Sequence, residues 1–137
     1  MEEIVGINHV GLRVTSLEKS RAFYEKIGFQ FIVGPIGPEP VAIMEHPSGV
    51  NINFILNAST ALLESGPSEN VLMDRTEKHT GFTHIALEVT HLEVVQRTLS
   101  DLQIPITEGP VVLPDGTRFL FVRDPDNNVI EFHQVAQ

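Results

Sequence analysis

Two histidines and one glutamate have the chemistry to bind a metal ion together. His9 and His84 occur in similar sequence surroundings in the two halves of the chain, and Glu131 lies near its end. Imidazole and carboxylate groups bind Fe(II), Mn, Co, Ni and Zn, and a three-ligand set leaves coordination positions open for a substrate. The chain has no cysteine, so thiolate ligands and a cysteine nucleophile are excluded. These residues predict a mononuclear metal site.

The surroundings of the two histidines belong to an internal repeat. Segment 8–35 aligns with segment 83–110 without a gap, and eight of the 28 aligned positions are identical. A further slippage of three positions aligns 52–54 with 130–132. Because a repeat of this kind is one supersecondary unit, the chain is predicted to contain two copies of a single structural module.

Each copy opens with a strand in which apolar and polar positions alternate. Val10, Leu12 and Val14 face one side, so His9 faces the opposite side. The second copy repeats this alternation around His84. A helix is predicted next in both copies, and each helix begins with residues at capping-box spacing, which are Thr15 with Glu18 and Thr90 with Glu93.

Three shorter strands complete each copy. They are predicted near residues 29–33, 41–46 and 50–57, and again near 105–107, 117–123 and 128–134. The result is an α+β fold with two βαβββ repeats. We expect a single domain over residues 1–137, with repeat one at 4–57, repeat two at 81–135, and between them a linker at 58–80 that forms a short helix at its start or a flap over the site.

Charge and hydropathy narrow the classes of function. The 137 residues include 18 acidic and 9 basic side chains, for a formal net charge of −9, and no basic stripe is present. This balance repels nucleic acid and anionic membranes, so neither is an expected partner. The N-terminus lacks the pattern of a signal peptide, and no run of about 18 apolar residues occurs. We therefore expect a soluble, cytoplasmic protein. The predicted metal site favours a small-molecule substrate as its partner.

The sequence resembles the vicinal oxygen chelate superfamily, which is the glyoxalase, bleomycin resistance protein and extradiol dioxygenase family. The resemblance extends from Ile7 to His133, and it is carried by the strand at His9, the Thr-His-Ile-Ala-Leu strand with His84, and the segment Asp-Pro-Asp-Asn-Asn-Val-Ile-Glu-Phe with Glu131. It implies two βαβββ modules that form a U-shaped, incompletely closed eight-stranded barrel with the helices outside. A divalent metal ion and a homodimer are also implied.

The resemblance assigns the metal ligands residue by residue. His9, His84 and Glu131 match ligand positions, whereas the fourth position falls on Asn53. Glyoxalase I and the epimerase of this superfamily have Glu, Gln or His there, and the shorter Asn departs from that pattern. The remaining set resembles the two histidines and one glutamate of the extradiol dioxygenases and of the fosfomycin-resistance enzymes. His133 shares a strand face with Glu131, and either a base or a pocket histidine fits this position.

Further positions are candidates for binding the substrate. Arg13 and Asn57 match positions that resemble the glutathione-binding Arg and Asn of bacterial glyoxalase I, so glutathione or another thiol is an implied co-substrate. A guanidinium is well suited to recognise a carboxylate through two hydrogen bonds. Phe119, Phe121 and Arg123 alternate along a strand and are predicted to line the pocket.

A metal-dependent lyase or isomerase similar to glyoxalase I is the expected function. The metal would bind two neighbouring substrate oxygens, and Glu131 would serve as the base. The alternatives are an Fe(II) extradiol-type dioxygenase that uses His9, His84 and Glu131, a metal-free drug-binding protein similar to bleomycin resistance proteins, and a thiol transferase. Ni, Co or Zn would favour the lyase, Fe the dioxygenase and Mn the transferase.

Overall fold

The computed structural model describes residues 1–60 and 69–137. The chain forms two compact units, Met1–Gly66 and Pro67–Gln137, and each unit contains one copy of the repeat. The boundary between them falls inside the predicted linker. The stretch in which a short helix is predicted includes residues 61–68, which lie outside the described part of the chain. That both copies form a single domain stays a prediction.

The first unit has the order strand, helix and three strands. These elements are β1 (Val10–Arg13), α1 (Leu17–Lys26), β2 (Gln30–Ile36), β3 (Val41–Glu45) and β4 (Asn51–Ile55). The four strands form one sheet in the order β1-β4-β3-β2, in which β1 is parallel to β4 and the other pairs are antiparallel. The last strand of the unit therefore returns beside the first strand, which places their side chains in register.

The second unit repeats this arrangement. Its elements are β5 (His84–Glu88), α2 (Leu92–Asp101), β6 (Ile106–Val112), β7 (Arg118–Arg123) and β8 (Val129–Gln134), and the sheet order is β5-β8-β7-β6. The predicted α+β class with two βαβββ repeats is thus confirmed. Neither helix of the described residues is long and apolar enough to span a membrane.

The helix-facing side of each sheet forms the core of its unit. In the first unit Tyr24 of α1 packs on Phe54 of β4, with ring centroids 5.3 Å apart. In the second unit Leu99 of α2 and the strand residues Leu120 and Ile130 are fully buried. Each such side chain contributes roughly 1.5–3 kcal/mol through removal of apolar surface from water. The opposite face of each sheet is left to carry the polar residues.

The helix starts differ from the predicted capping boxes. Helix α1 is capped by Ser16, whose hydroxyl accepts a hydrogen bond from the Lys19 backbone N–H at 3.3 Å. The corresponding residue of α2 is His91, which makes no capping hydrogen bond through its side chain. Both helices begin one residue later than predicted, so each glutamate occupies the second helical position and cannot close a capping box. The capping-box prediction was wrong. A carboxylate in the first turn still stabilises each helix through its interaction with the helix dipole.

The Asp-Pro-Asp-Asn-Asn segment forms the turn that leads into β8. The Asp124 side chain is buried, and its Oδ1 accepts hydrogen bonds from the backbone N–H groups of Asp126 and Asn128 at 2.9 Å each. Its Oδ2 accepts a third from the Asn128 side chain at 2.9 Å. This part of the sequence motif is therefore structural, and it fixes the point at which the strand carrying Glu131 begins.

Candidate functional site

The polar face of the second sheet is organised in three rows that run across β5, β8 and β7. The register places the following partners side by side: His84, Val129 and Arg123; Ala86, Glu131 and Phe121; and Glu88, His133 and Phe119. Alternate positions of a strand share a face, and neighbouring strands lie about 5 Å apart. The sheet therefore gathers two histidines, two glutamates and two phenylalanines from three different strands.

Glu131 is the centre of this cluster. The residue is only 8% exposed, and both oxygens of its carboxylate have an imidazole partner. Glu131 Oε2 lies 2.8 Å from Nε2 of His84, and Glu131 Oε1 lies 2.7 Å from Nδ1 of His133. A buried carboxylate needs such partners because loss of hydration penalises its charged form. The sequence had placed Glu131 and His133 on one face, and the structure adds that they are in direct contact.

The orientation of the His84 ring is set by its neighbours. Thr83 Oγ1 lies 2.8 Å from His84 Nδ1, so Nε2 is the nitrogen directed at Glu131. The Phe121 ring packs edge-on against the imidazole, with centroids 5.6 Å apart. His9 in the first unit has the matching local arrangement, because its Nδ1 lies 2.8 Å from Asn8 Oδ1. In both histidines a side chain of the preceding residue engages Nδ1.

Two phenylalanines form an apolar wall beside the carboxylate. The Phe119 ring is stacked parallel to His133, at 6.0 Å between centroids and an interplanar angle of 5°. Phe119 and Phe121 meet edge to face at 5.7 Å. Phe121 is the direct strand partner of Glu131, so the wall offers an apolar surface beside the carboxylate on which a substrate could rest. Phe119 and Phe121 are thus brought together as the alternation predicts, and their contact with substrate stays a prediction.

The donor groups of the second unit fit part of a metal site. His84 Nε2 and Glu131 Oε2 are adjacent, and the Thr83 hydroxyl engages the other ring nitrogen of His84. A metal-binding histidine usually has a hydrogen-bond partner at its second ring nitrogen. Within residues 1–60 and 69–137 the structure shows no group of three or more His, Asp or Glu side chains spaced to hold a metal ion. The third predicted ligand, His9, belongs to the other unit, and its role as a ligand stays a prediction.

Asn53 occupies the position in the first unit that Glu131 occupies in the second. Strand β1 pairs Gly11 with Asn53, and strand β5 pairs Ala86 with Glu131 in the same parallel register. The structure thereby confirms the alignment of the two copies at this position. The first unit presents a neutral amide where the second presents a carboxylate. Coordination of a metal by Asn53 stays a prediction.

The first unit also brings Arg13 and Asn57 together. Arg13 Nε donates a hydrogen bond to Asn57 Oδ1 at 2.9 Å, and Asn57 Nδ2 donates to Glu39 Oε1 at 3.0 Å. The same Glu39 oxygen lies 3.6 Å from Arg13 Nη2. Sequence reasoning missed Glu39, because it lies in the turn between β2 and β3 and no periodicity marks it. The three side chains form an exposed polar cluster in which the charge of Arg13 is partly balanced.

Arg123 is held by two carboxylates of its own unit. Its Nη1 and Nη2 atoms contact both oxygens of Asp74 at 3.1 and 3.0 Å, and Nη2 also lies 2.8 Å from Glu108 Oε1. Desolvation opposes the charge of Arg123, but the hydrogen bonds with Asp74 and Glu108 prevail and raise its pKa. The Arg123 guanidinium is the main cause that lowers the pKa of Asp74. Substrate binding by Arg123 stays a prediction, and the structure adds a structural role for it.

The sequence profile of the Glyoxalase/Bleomycin resistance protein/Dioxygenase superfamily matches residues 6–132. The chain belongs to this superfamily. The assignment confirms the resemblance seen in the sequence, and it agrees with the two βαβββ repeats. Divalent metal ions are common among members of the superfamily, and many members are enzymes.

Three similar proteins illustrate the range of the superfamily. The mitochondrial methylmalonyl-CoA epimerase of Bos taurus is 30% identical over 125 residues, which cover 88% of this chain and 67% of the relative. The uncharacterized protein YwkD of Bacillus subtilis is 30% identical over 133 residues, or 93% and 95% of the two chains. The fosfomycin resistance protein FosX of Listeria monocytogenes has a TM-score of 0.68 at 22% identity, with 95% and 91% of the chains covered, and it supports the fold alone.

Proposed function

We propose that this protein is a divalent-metal-dependent lyase or isomerase that moves a proton at a carbon next to a carbonyl group. The proposed substrate is a small molecule whose neighbouring oxygens chelate the metal, as in the reaction of glyoxalase I. The observation that carries the proposal is the Glu131 carboxylate, which is buried and held between two imidazoles. The similarity to a methylmalonyl-CoA epimerase supports it, because inversion at a carbon beside a thioester carbonyl is also a proton transfer.

Glu131 is the proposed base. A carboxylate accepts a proton from carbon only if it is close to the substrate and shielded from competing water, and the surroundings of Glu131 meet the second condition. Glu131 is only 8% exposed, and His133 engages the oxygen that does not face His84. We therefore assign proton transfer to Glu131 Oε2, which lies beside His84 Nε2. This oxygen would hold the metal and would be released from it to accept the proton.

A divalent metal ion would supply the positive charge that stabilises an enediolate or enolate anion. His84 Nε2 and Glu131 Oε2 would hold it, and His9 is the third proposed ligand. Ni, Co and Zn are the metals expected for this reaction. Asn53 stands at the fourth ligand position, where a carboxylate would be a second ionised ligand beside Glu131. With a neutral amide there, less negative charge from the protein would offset the charge of the metal.

The polar cluster of the first unit is the proposed binding site for a thiol carrier such as glutathione. Arg13 and Asn57 present a guanidinium and an amide side by side, and together they can hold a carboxylate through several hydrogen bonds. Glu39 already shares these donors, so an incoming carboxylate must compete with it. A carrier without a carboxylate would avoid this competition.

Proton transfer tested with solvent isotope is the direct experiment. The purified protein is loaded with Ni, Co or Zn in D2O and given a hemithioacetal of glutathione with a small 2-oxoaldehyde, or a 2-substituted malonyl thioester. We expect product or deuterium incorporation with at least one metal. Glu131→Gln should lower the rate by about 100-fold or more at matched metal content. Glu18→Gln, at an exposed position of helix α1, is the control and should not change the rate. Equal rates for the wild type and Glu131→Gln would refute the assignment.

A second variant distinguishes the two forms of the proposed reaction. Asn53→Glu restores a carboxylate at the fourth ligand position, which the register places opposite Gly11. If the metal-loaded variant still forms no lactoylglutathione, the glyoxalase form is rejected and only the epimerase form is left.

Separate experiments address the alternative functions. In the first, the protein is loaded with iron under anaerobic conditions and oxygen uptake is measured with catechols. Uptake would favour the dioxygenase over the lyase. Equal metal content in the wild type and a His9→Ala/His84→Ala variant would remove the proposed metal site and favour a binding protein. The homodimer and the cytoplasmic location are likewise proposals, and light scattering over a range of protein concentrations tests the first.

A further inference from the structure

His133 contacts Glu131 in the cluster, but the proposed reaction gives its imidazole no chemical step. It lies two residues after Glu131 on β8, and its side chain is about one third exposed. Its Nδ1 approaches Glu131 Oε1 to 2.7 Å, which is a short contact for a nitrogen and an oxygen. A partly exposed histidine can form its hydrogen bonds with water, so this contact with Glu131 is not required by burial of His133.

The contact assigns a role to one ring nitrogen of His133. A carboxylate that binds a metal is ionised and can only accept hydrogen bonds, so in the proposed site His133 Nδ1–H is the donor to Glu131 Oε1. The ring is also held by stacking, because Phe119 is its direct partner across β7 and β8 and lies parallel to it at 5°. A fixed ring with a fixed donor restricts the rotation of the Glu131 carboxylate.

We propose that His133 is a positioning residue that binds Glu131 Oε1 through Nδ1 and so directs Oε2 to the metal beside His84 Nε2. This inference rests on the proposed metal-dependent function. Free rotation of the carboxylate would exchange its two oxygens. It would also separate the two proposed metal-binding atoms, His84 Nε2 and Glu131 Oε2. With Oε1 engaged by His133, only Oε2 faces His84, at 2.8 Å. The hydrogen bond thus orders the ligand before the metal arrives.

The proposal makes a specific prediction about side-chain geometry. In asparagine the amide nitrogen is attached at the same branch point as Nδ1 of histidine, whereas in glutamine the amide nitrogen corresponds to Nε2. His133→Asn can therefore donate to Glu131 Oε1, and His133→Gln cannot donate from the same place. A role through bulk or polarity alone would not separate the two variants.

The experiment measures metal affinity rather than activity. Apo protein is titrated with Co(II) against a competing chelator, and the visible absorption of the bound ion reports its coordination. We expect His133→Ala and His133→Gln to bind Co(II) about 10–100-fold more weakly than the wild type, and His133→Asn to recover most of the affinity. Phe119→Leu, which keeps the hydrogen bond and removes the stacking partner, should cause a smaller loss.

The outcomes separate this inference from the proposed function. If the wild type binds no metal, both are overturned. If the wild type binds Co(II) and His133→Ala binds it equally well, or if the Asn and Gln variants are equal, only the positioning role is overturned. Thermal unfolding of each apo variant identifies a loss of fold, and the comparison of Asn with Gln remains decisive if the Ala variant does not fold.

Discussion

The ion pair between Asp74 and Arg123 should be a measurable source of stability for the second unit. The Arg123 side chain is 13% exposed and that of Asp74 is 30% exposed, so the pair lies between a surface pair and a buried one. Surface pairs contribute about 0–1 kcal/mol, and rupture of a buried pair costs roughly 3–5 kcal/mol. We therefore expect a coupling energy of about 1.5 kcal/mol in a double-mutant cycle of Asp74→Asn with Arg123→Met. The same cycle with Glu108→Gln is the matched control and should give less than about 1 kcal/mol, because Glu108 is 48% exposed.

Urea denaturation followed by circular dichroism provides the free energies for this cycle. The chain has one tyrosine and no tryptophan, so the fluorescence of Tyr24 reports the first unit separately. Asp74 also accepts a hydrogen bond from the Asn70 backbone N–H at 2.7 Å. Hydrogen exchange at that amide should therefore accelerate in Asp74→Asn.

The pH dependence of the coupling has a defined sign. The folded-state pKa of Asp74 is lowered from its ordinary value of 3.8, with the hydrogen bond from Arg123 as the main cause. The stabilisation is therefore complete above the unfolded-state pKa, and it is lost as the pH falls through the folded-state pKa. A coupling energy that is unchanged between neutral pH and strongly acidic pH would refute the reasoning. A coupling energy between Asp74 and Arg123 that is no larger than that between Glu108 and Arg123 would also refute it.

Five further variants test the packing and the polar cluster. Leu120→Ala should lower the free energy of unfolding by about 2–5 kcal/mol because the side chain is fully buried. Val112→Ala, at a 62% exposed position, should change it by less than about 0.5 kcal/mol. Comparable losses for the two variants in urea denaturation would contradict the assignment of Leu120 to the core. Gly34→Ala would place Cβ 2.5 Å from the backbone of β3 and should cost roughly 3 kcal/mol by thermal unfolding. Gly49→Ala, at φ +96° with open space around it, should cost only about 1 kcal/mol, and the reverse order would be inconsistent with the structure. Glu39→Gln removes the competing carboxylate from the guanidinium and should raise the affinity for glutathione by up to about fivefold in calorimetry, and unchanged or weaker binding would count against a carboxylate site there.

Much of the fold was predictable because local patterns and the repeat agree. The alternation around His84 and the alignment of segment 8–35 with segment 83–110 predicted the strands, and helices α1 and α2 begin at aligned positions, Leu17 and Leu92. The helix starts were missed by one residue. Thr15 and Ser16 are both capable N-caps, and the choice between them depends on backbone dihedral angles that the sequence pattern does not contain.

The partners of charged residues were the least predictable part of the site. Arg123 lies on the predicted pocket face, yet its charge is balanced by Asp74 from the segment before β5 and by Glu108 of β6. Glu39 similarly meets Arg13 through a turn. Ion pairs between residues far apart in sequence depend on where the chain returns, and side-chain type alone does not identify them.

The sequence by itself determined that two copies of one module are present, and that His84, Glu131 and His133 occur on strands with polar faces. Successive side chains of a strand point to opposite faces, so residues an even number of positions apart in one strand share a face. Only the tertiary structure decided that the Glu131 carboxylate is shared between His84 Nε2 and His133 Nδ1. That contact depends on the register of β5 and β8 and on which ring nitrogen is engaged by a neighbour, and these are properties of the packed sheet.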